Sequence, residues 1–92
     1  MFIADYRDGK WTDPRIVPYE PIPMSPAISA LHYGQSIFEG LKAYRDPAGK
    51  PLLFRPEANH KRMNKSAERL CMPAISKEYF LGGLLALLKV DE

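Results

Sequence analysis

Ninety-two residues hold at most one small domain, which buries only about 60–65% of the surface its unfolded chain exposes and is marginal without further cover. A composition of 46% hydrophobic, 26% charged and 11% aromatic residues is that of a globular protein and argues against disorder, and a net charge of +2 is too small to imply a polyanionic partner by itself. The single cysteine, Cys71, excludes an intrachain disulfide; with no basic-then-apolar leader at Met1 and no apolar run longer than Tyr79–Leu88, a soluble cytoplasmic protein with no membrane span is expected.

In chain order, Met1 to Tyr6 predicts a strand, Asp8-Gly9 a tight hairpin turn and Lys10 to Val17 the partner strand. Pro14, Pro18, Pro21, Pro23 and Pro26 then mark an extended connection, because proline removes the backbone donors that a helix or central strand needs. Ser25 to Gly34 has room for one short helical turn, with Ser25 as cap and Pro26 at the first helical position. Ile37 to Tyr44 alternates loosely and predicts a strand. Asp46-Pro47-Ala48-Gly49 predicts a turn, and Pro51 to Arg55 the returning strand of a second hairpin.

Pro56 opens a helix expected to run to about Met72, with Met63, Ala67, Leu70 and Cys71 on one apolar face and Pro73 as its stop. Ser76 caps a further helix to about Val90, with Glu78 in its first turn. The leucines of that helix wrap most of its circumference, so it requires cover on more than one side. Antiparallel strands in hairpins with two helices make an α+β domain, and so few strands under so apolar a helix read as an incomplete one.

Chemistry is carried by few residues. His60-Lys61-Arg62 reads first as a solvated basic helix face, yet Arg62 borders the apolar Met63, a position from which a guanidinium can enter a cleft and hold a phosphate bidentately. Tyr33, Phe38 and Tyr44 read by default as core packing and alternatively as the wall of an apolar pocket. Gly40 inside a strand often marks the close approach of a ligand or another backbone. Cys71 reads as packing rather than a nucleophile, and His32 and His60 lack the spacing of a metal site.

The tract LHYGQSIFEGLKAYR, followed after a short turn by LLFRPEANHKRMNKSAERLCMP, resembles the branched-chain amino acid aminotransferases; the preceding thirty residues match more loosely. The resemblance implies that residues 1–92 are part of the small N-terminal domain of an enzyme dependent on pyridoxal 5'-phosphate. In that family Arg62 matches the arginine that binds the cofactor phosphate, Phe38 a wall of the pocket for the aliphatic substrate side chain, and Gly40 the glycine beside it. Tyr33 matches a tyrosine that reaches the neighbouring subunit's site in a homodimer. Lys42 stands where some relatives have arginine and receives no role.

The implied reaction exchanges the amino group of leucine, isoleucine or valine with 2-oxoglutarate. The lysine that holds the cofactor and the acid that pairs with its ring nitrogen belong to the family's second domain. Lys10, Lys42, Lys50, Lys61, Lys65, Lys77 and Lys89 do not match that lysine, so this chain alone is expected to be inactive. An Arg62 buried against an acidic neighbour, or turned to solvent far from Phe38, would contradict the assignment. Alternatives are a D-amino acid aminotransferase or aminodeoxychorismate lyase relative, a fragment that self-associates through Leu84–Leu88, and a nucleic-acid-binding module using Arg55, Lys61, Arg62, Lys65 and Arg69. No aromatic stacking motif accompanies that basic helix, which argues against the last.

Overall fold

The computed structural model describes residues 1–91 as an α+β arrangement of two separate antiparallel hairpins and three helices. β1 (Phe2–Arg7) and β2 (Lys10–Ile16) turn at Asp8 and Gly9, whose φ values of 51° and 78° suit a two-residue hairpin loop. The register steps from Ile3↔Arg15 to Asp5↔Thr12, so β2 carries an extra residue there. Asp13 takes up that bulge at φ 52° and Pro14, which has no N–H to give a ladder, sits beside it. Pro14 therefore lies within β2 rather than in the connection where the proline pattern placed it.

The short helix α1 (Ser29–Tyr33) starts later than expected. Ser25 and Pro26 form a turn before it, in which the Ser25 hydroxyl accepts the Ala27 N–H at 3.2 Å and the Ser25 carbonyl the Ile28 N–H at 3.1 Å. Gly34 ends the helix at φ 63°.

The second hairpin is shorter than its alternation suggested. β3 (Ala43–Arg45) pairs with β4 (Pro51–Leu53), and residues 35–42 form no regular element. The reason is the partner strand. Arg55 bends into the left-handed region at φ 48° and Pro56 begins a helix, so nothing remains for residues 37–42 to pair with. The turn itself forms as expected: the Gly49 N–H donates to the Asp46 carbonyl at 2.9 Å and the Lys50 N–H to the Asp46 carboxylate at 2.8 Å.

Helix α2 (Pro56–Arg69) ends three residues before the expected Met72. Cys71 adopts φ 54°, while the Met72 N–H donates to the Ala67 carbonyl at 2.8 Å and the Cys71 N–H to Glu68 at 3.2 Å. This is the paired-bond C-terminal cap that glycine usually occupies. Cys71 is thus exposed beyond the helix end, and of the expected apolar face only Ala67, at 2% exposure, is fully buried.

Ser76 caps the next helix as expected, its hydroxyl accepting the Tyr79 N–H at 3.1 Å. The helix opens with a π turn (Glu78–Gly82) before continuing as α3 (Gly83–Val90). The Asn64 amide bonds both backbone groups of Ile75 at 2.9 Å, and His60 Nε2 donates to the same carbonyl at 2.8 Å. The first hairpin docks on this helix and the segment before it, through the Tyr79 hydroxyl donating to the Trp11 carbonyl at 3.3 Å and Trp11 Nε1 donating to the Ala74 carbonyl at 2.7 Å. Phe2 lies against Gly83, where a Cβ would come within 2.8 Å of its ring.

Little apolar surface is enclosed. The accessible area is 7405 Å², against about 5,400 Å² for a folded monomer of this mass. Gly83→Ala is expected to lower stability by roughly 1–3 kcal/mol through overpacking against Phe2. Gly82→Ala, with nothing within 4 Å, is expected to raise it by about 0.5–1 kcal/mol through helix propensity. Cys71→Gly is expected to stabilise by about 1 kcal/mol by relieving left-handed strain. Thermal unfolding followed by far-ultraviolet circular dichroism checks all three.

Candidate functional site

The irregular segment that follows α1 is held by side chains rather than by a ladder. Gln35 Nε2 donates to the Leu70 carbonyl at the far end of α2, at 2.8 Å. Asn59, on the first half of α2 and only 8% exposed, donates its amide to Glu39 Oε2 at 2.8 Å and to the Gly40 carbonyl at 3.1 Å. Arg62 lies three residues on, on the same face of the helix. Its Nε donates to Glu39 Oε1 and its Nη2 to Glu39 Oε2 at 2.7 Å.

Exposure is divided unequally across this pair. The Glu39 side chain is 8% exposed and that of Arg62 is 65% exposed. The acidic neighbour is present, but the acid is the buried member. Glu39 occupies the Nε–Nη2 edge of the guanidinium. The other edge, Nη1 with the second hydrogen of Nη2, has no partner among the described residues and keeps the fork geometry that an oxyanion accepts.

That arginine lines an open cavity of about 550 Å³ together with Gly40, Leu41, Lys42, Tyr44, Phe54, Arg55, Ala58 and Asn59. Three cationic residues therefore share one wall system with the N-terminal turn of a fourteen-residue helix, an arrangement that favours an anion. None of the described residues requires a glycine at position 40, since a Cβ there meets nothing within 4 Å. The structure brings Arg62 and Gly40 to the same cavity. It leaves Phe38, 91% exposed, and Tyr33, 86% exposed at the end of α1, on the surface and outside the cavity lining.

Sequence reading missed Glu39 and Asn59, and gave Lys42 and Arg55 no place in this site. Asn59 stands three positions before Arg62, the one local signal that the two share a face. Nothing local links Glu39 to either, because it stands twenty positions before Asn59 and twenty-three before Arg62, with a hairpin between. Among the described residues no cluster of His, Cys, Asp and Glu could hold a metal ion, and no helix is long and apolar enough to cross a membrane.

The hydrogen bond from Arg62, helped by that from Asn59 and by the arginine's charge, outweighs burial and lowers the Glu39 carboxyl from its ordinary 4.5 to about 2. The same contact raises Arg62 above its ordinary value. A depressed carboxyl stabilises the fold fully above pH 4.5 and loses that contribution as pH falls toward 2. Midpoints of denaturant unfolding measured across this window should therefore fall with acidification, and Glu39→Gln should flatten the fall.

No protein-family model matches the chain. Across its whole length it is 52% identical to branched-chain-amino-acid aminotransferase 2 of Bacillus subtilis (strain 168), covering 26% of that protein. It is 46% identical to the branched-chain-amino-acid aminotransferase of Helicobacter pylori (strain J99 / ATCC 700824) over 99% of the chain and 27% of the relative. The corresponding enzyme of Mycolicibacterium smegmatis (strain ATCC 700084 / mc(2)155) is 47% identical over all of the chain and 25% of its own length. The chain thus spans about a quarter of the length of the curated relatives it matches, and along nearly all of its own length it is similar to branched-chain-amino-acid aminotransferases.

Proposed function

We propose that this chain forms part of the small domain of a branched-chain amino acid transaminase, in which Arg62 receives the phosphate of pyridoxal 5'-phosphate. The observation that carries the reading is the open edge of the Arg62 guanidinium on the wall of a cavity it shares with Gly40. Identity near one half to aminotransferases of that name supports it. A phosphate dianion fits this donor set: the fork of Arg62 and the cations Lys42 and Arg55.

Pyridoxal phosphate, when bound, supplies the electron sink for exchange of an amino group between leucine, isoleucine or valine and 2-oxoglutarate. The part played by this chain is to bind and orient. Arg62 fixes the phosphate end, which limits how far the reacting carbon can wander from alignment. Gly40 keeps the adjoining wall open for a substrate. Phe38 and Tyr33 present exposed aromatic surface outside this cavity; in the proposal Phe38 walls the aliphatic subsite and Tyr33 reaches the partner's site in a homodimer. Hydrocarbon side chains differ by about 1–3 kcal/mol per methylene in an apolar pocket, so aromatic walls suffice to sort them. A reducing, cytoplasmic setting suits the single exposed thiol of Cys71. The residues of this chain hold no group in the role of the cofactor-bearing lysine, and alone it is proposed to be inactive.

The test is transamination by the purified full-length protein with leucine, isoleucine and valine against 2-oxoglutarate. Turnover of D-alanine in their place would move the assignment to the neighbouring enzyme class. Arg62→Met is expected to weaken pyridoxal phosphate about 10–100-fold through loss of charge-assisted bonds, with pyridoxal, which lacks the phosphate, little affected. Gly40→Val is expected to impair substrate binding while leaving the unfolding midpoint near that of the wild type. Equilibrium cofactor titration and steady-state kinetics check both.

A further inference from the structure

Glu39 has no role in the reading above, yet it is the best-enclosed ionisable side chain of the site. It is 8% exposed, held by Asn59 from one side and by two guanidinium donors from the other. A carboxylate this close to a candidate anion site has two opposed consequences. As a charge it repels an incoming anion and cancels part of the attraction from Arg62. As a bidentate acceptor it immobilises a long side chain that is 65% exposed and otherwise has rotamer entropy to lose on binding.

We propose that Glu39 is a positioning residue for phosphate binding, which holds Arg62 by one guanidinium edge so that the opposite edge is fixed toward the cavity. The inference rests on the reading of Arg62 as the phosphate ligand. Geometry favours positioning over simple repulsion. Glu39 engages Nε and one Nη2 hydrogen and leaves the terminal fork whole, where an end-on pair would have used that fork up. The carboxylate is itself fixed: Asn59, 8% exposed, donates to Glu39 Oε2 at 2.8 Å, and also to the carbonyl of Gly40, which lines the cavity, at 3.1 Å. One amide therefore ties the cavity wall, the carboxylate and, through it, the arginine to a single helix. Lys42 and Arg55 line the same cavity without a carboxylate partner among the described salt bridges, so the device is specific to Arg62.

The two consequences predict opposite signs, and the experiment reads the sign. In the full-length protein, binding of pyridoxal phosphate and of inorganic phosphate is measured by equilibrium titration for the wild type, Glu39→Gln, Glu39→Asp and Arg62→Met. Nitrogen-15 spectra of the Arg62 Nε–H are recorded without ligand. Positioning predicts that Glu39→Gln weakens both ligands about tenfold, the equivalent of one charge-assisted bond, and moves the Nε–H signal to that of a freely exchanging guanidinium. Glu39→Asp restores part of the affinity. If Glu39→Gln binds phosphate as well as the wild type or more tightly, the carboxylate only repels, and the inference is overturned.

Should Arg62→Met bind both ligands like the wild type, the phosphate reading of Arg62 fails instead, whatever the Nε–H signal shows. If Glu39→Gln does not fold, acid titration of the wild type decides. A slowly exchanging Nε–H that is released only as pH falls from 4.5 toward 2 supports the inference, and one that exchanges freely at neutral pH refutes it.

Discussion

The burial of one carboxylate organises this chain. Glu39 lies in a stretch that has no strand to pair with, and its enclosure is tolerable only because Arg62 and Asn59 supply the hydrogen bonds that water would otherwise give. Those bonds run from α2 to residues 39 and 40, and they set where the irregular segment crosses the helix. The cavity exists because of that crossing. Its wall is made from the segment, the second hairpin and the first half of α2, which the ion pair and the Asn59 amide hold together.

Polar clamps take this part because the apolar core is thin. Ala67 is the single fully buried hydrophobic residue among those described, and large side chains such as Tyr19, Phe54 and Leu85 remain exposed. Where other domains of this size lean on packed leucines, here backbone groups outside regular structure are met by side chains. Asn64 and His60 close on Ile75, Gln35 reaches the end of α2, and Trp11 meets Ala74. The bonds at Ile75 are part-buried and satisfy groups whose burial would otherwise be unfavourable, those from Gln35 and Trp11 lie at the surface, and together they give a definite shape without a large enclosed volume.

How far the sequence could be read depended on range. Asp8-Gly9, Asp46 to Gly49 and Ser76 acted within four residues of themselves, and each formed the turn or cap its chemistry requires. Pro56 started α2 for the same local reason. Where a residue depended on a distant partner, pattern failed. Ile37 to Tyr44 alternates like a strand, but the left-handed Arg55 shortens the strand it would need. Cys71 has the spacing of a core position, but the capping bonds end α2 before it. Of the residues that the family resemblance singled out, Arg62 and Gly40 share a cavity, while Phe38 and Tyr33 lie outside its lining.

By itself the sequence determined the α+β class, the two hairpin turns, the start of α2 and the kinship with aminotransferases. All are set by neighbouring residues or by the identity of residues in order. Tertiary structure alone decided that Glu39, twenty positions away from Asn59, is the acid that holds Arg62, and that one edge of the guanidinium stays open. A buried carboxylate takes whichever donors the fold brings within hydrogen-bond reach, and that choice is written in three-dimensional proximity rather than in spacing along the chain.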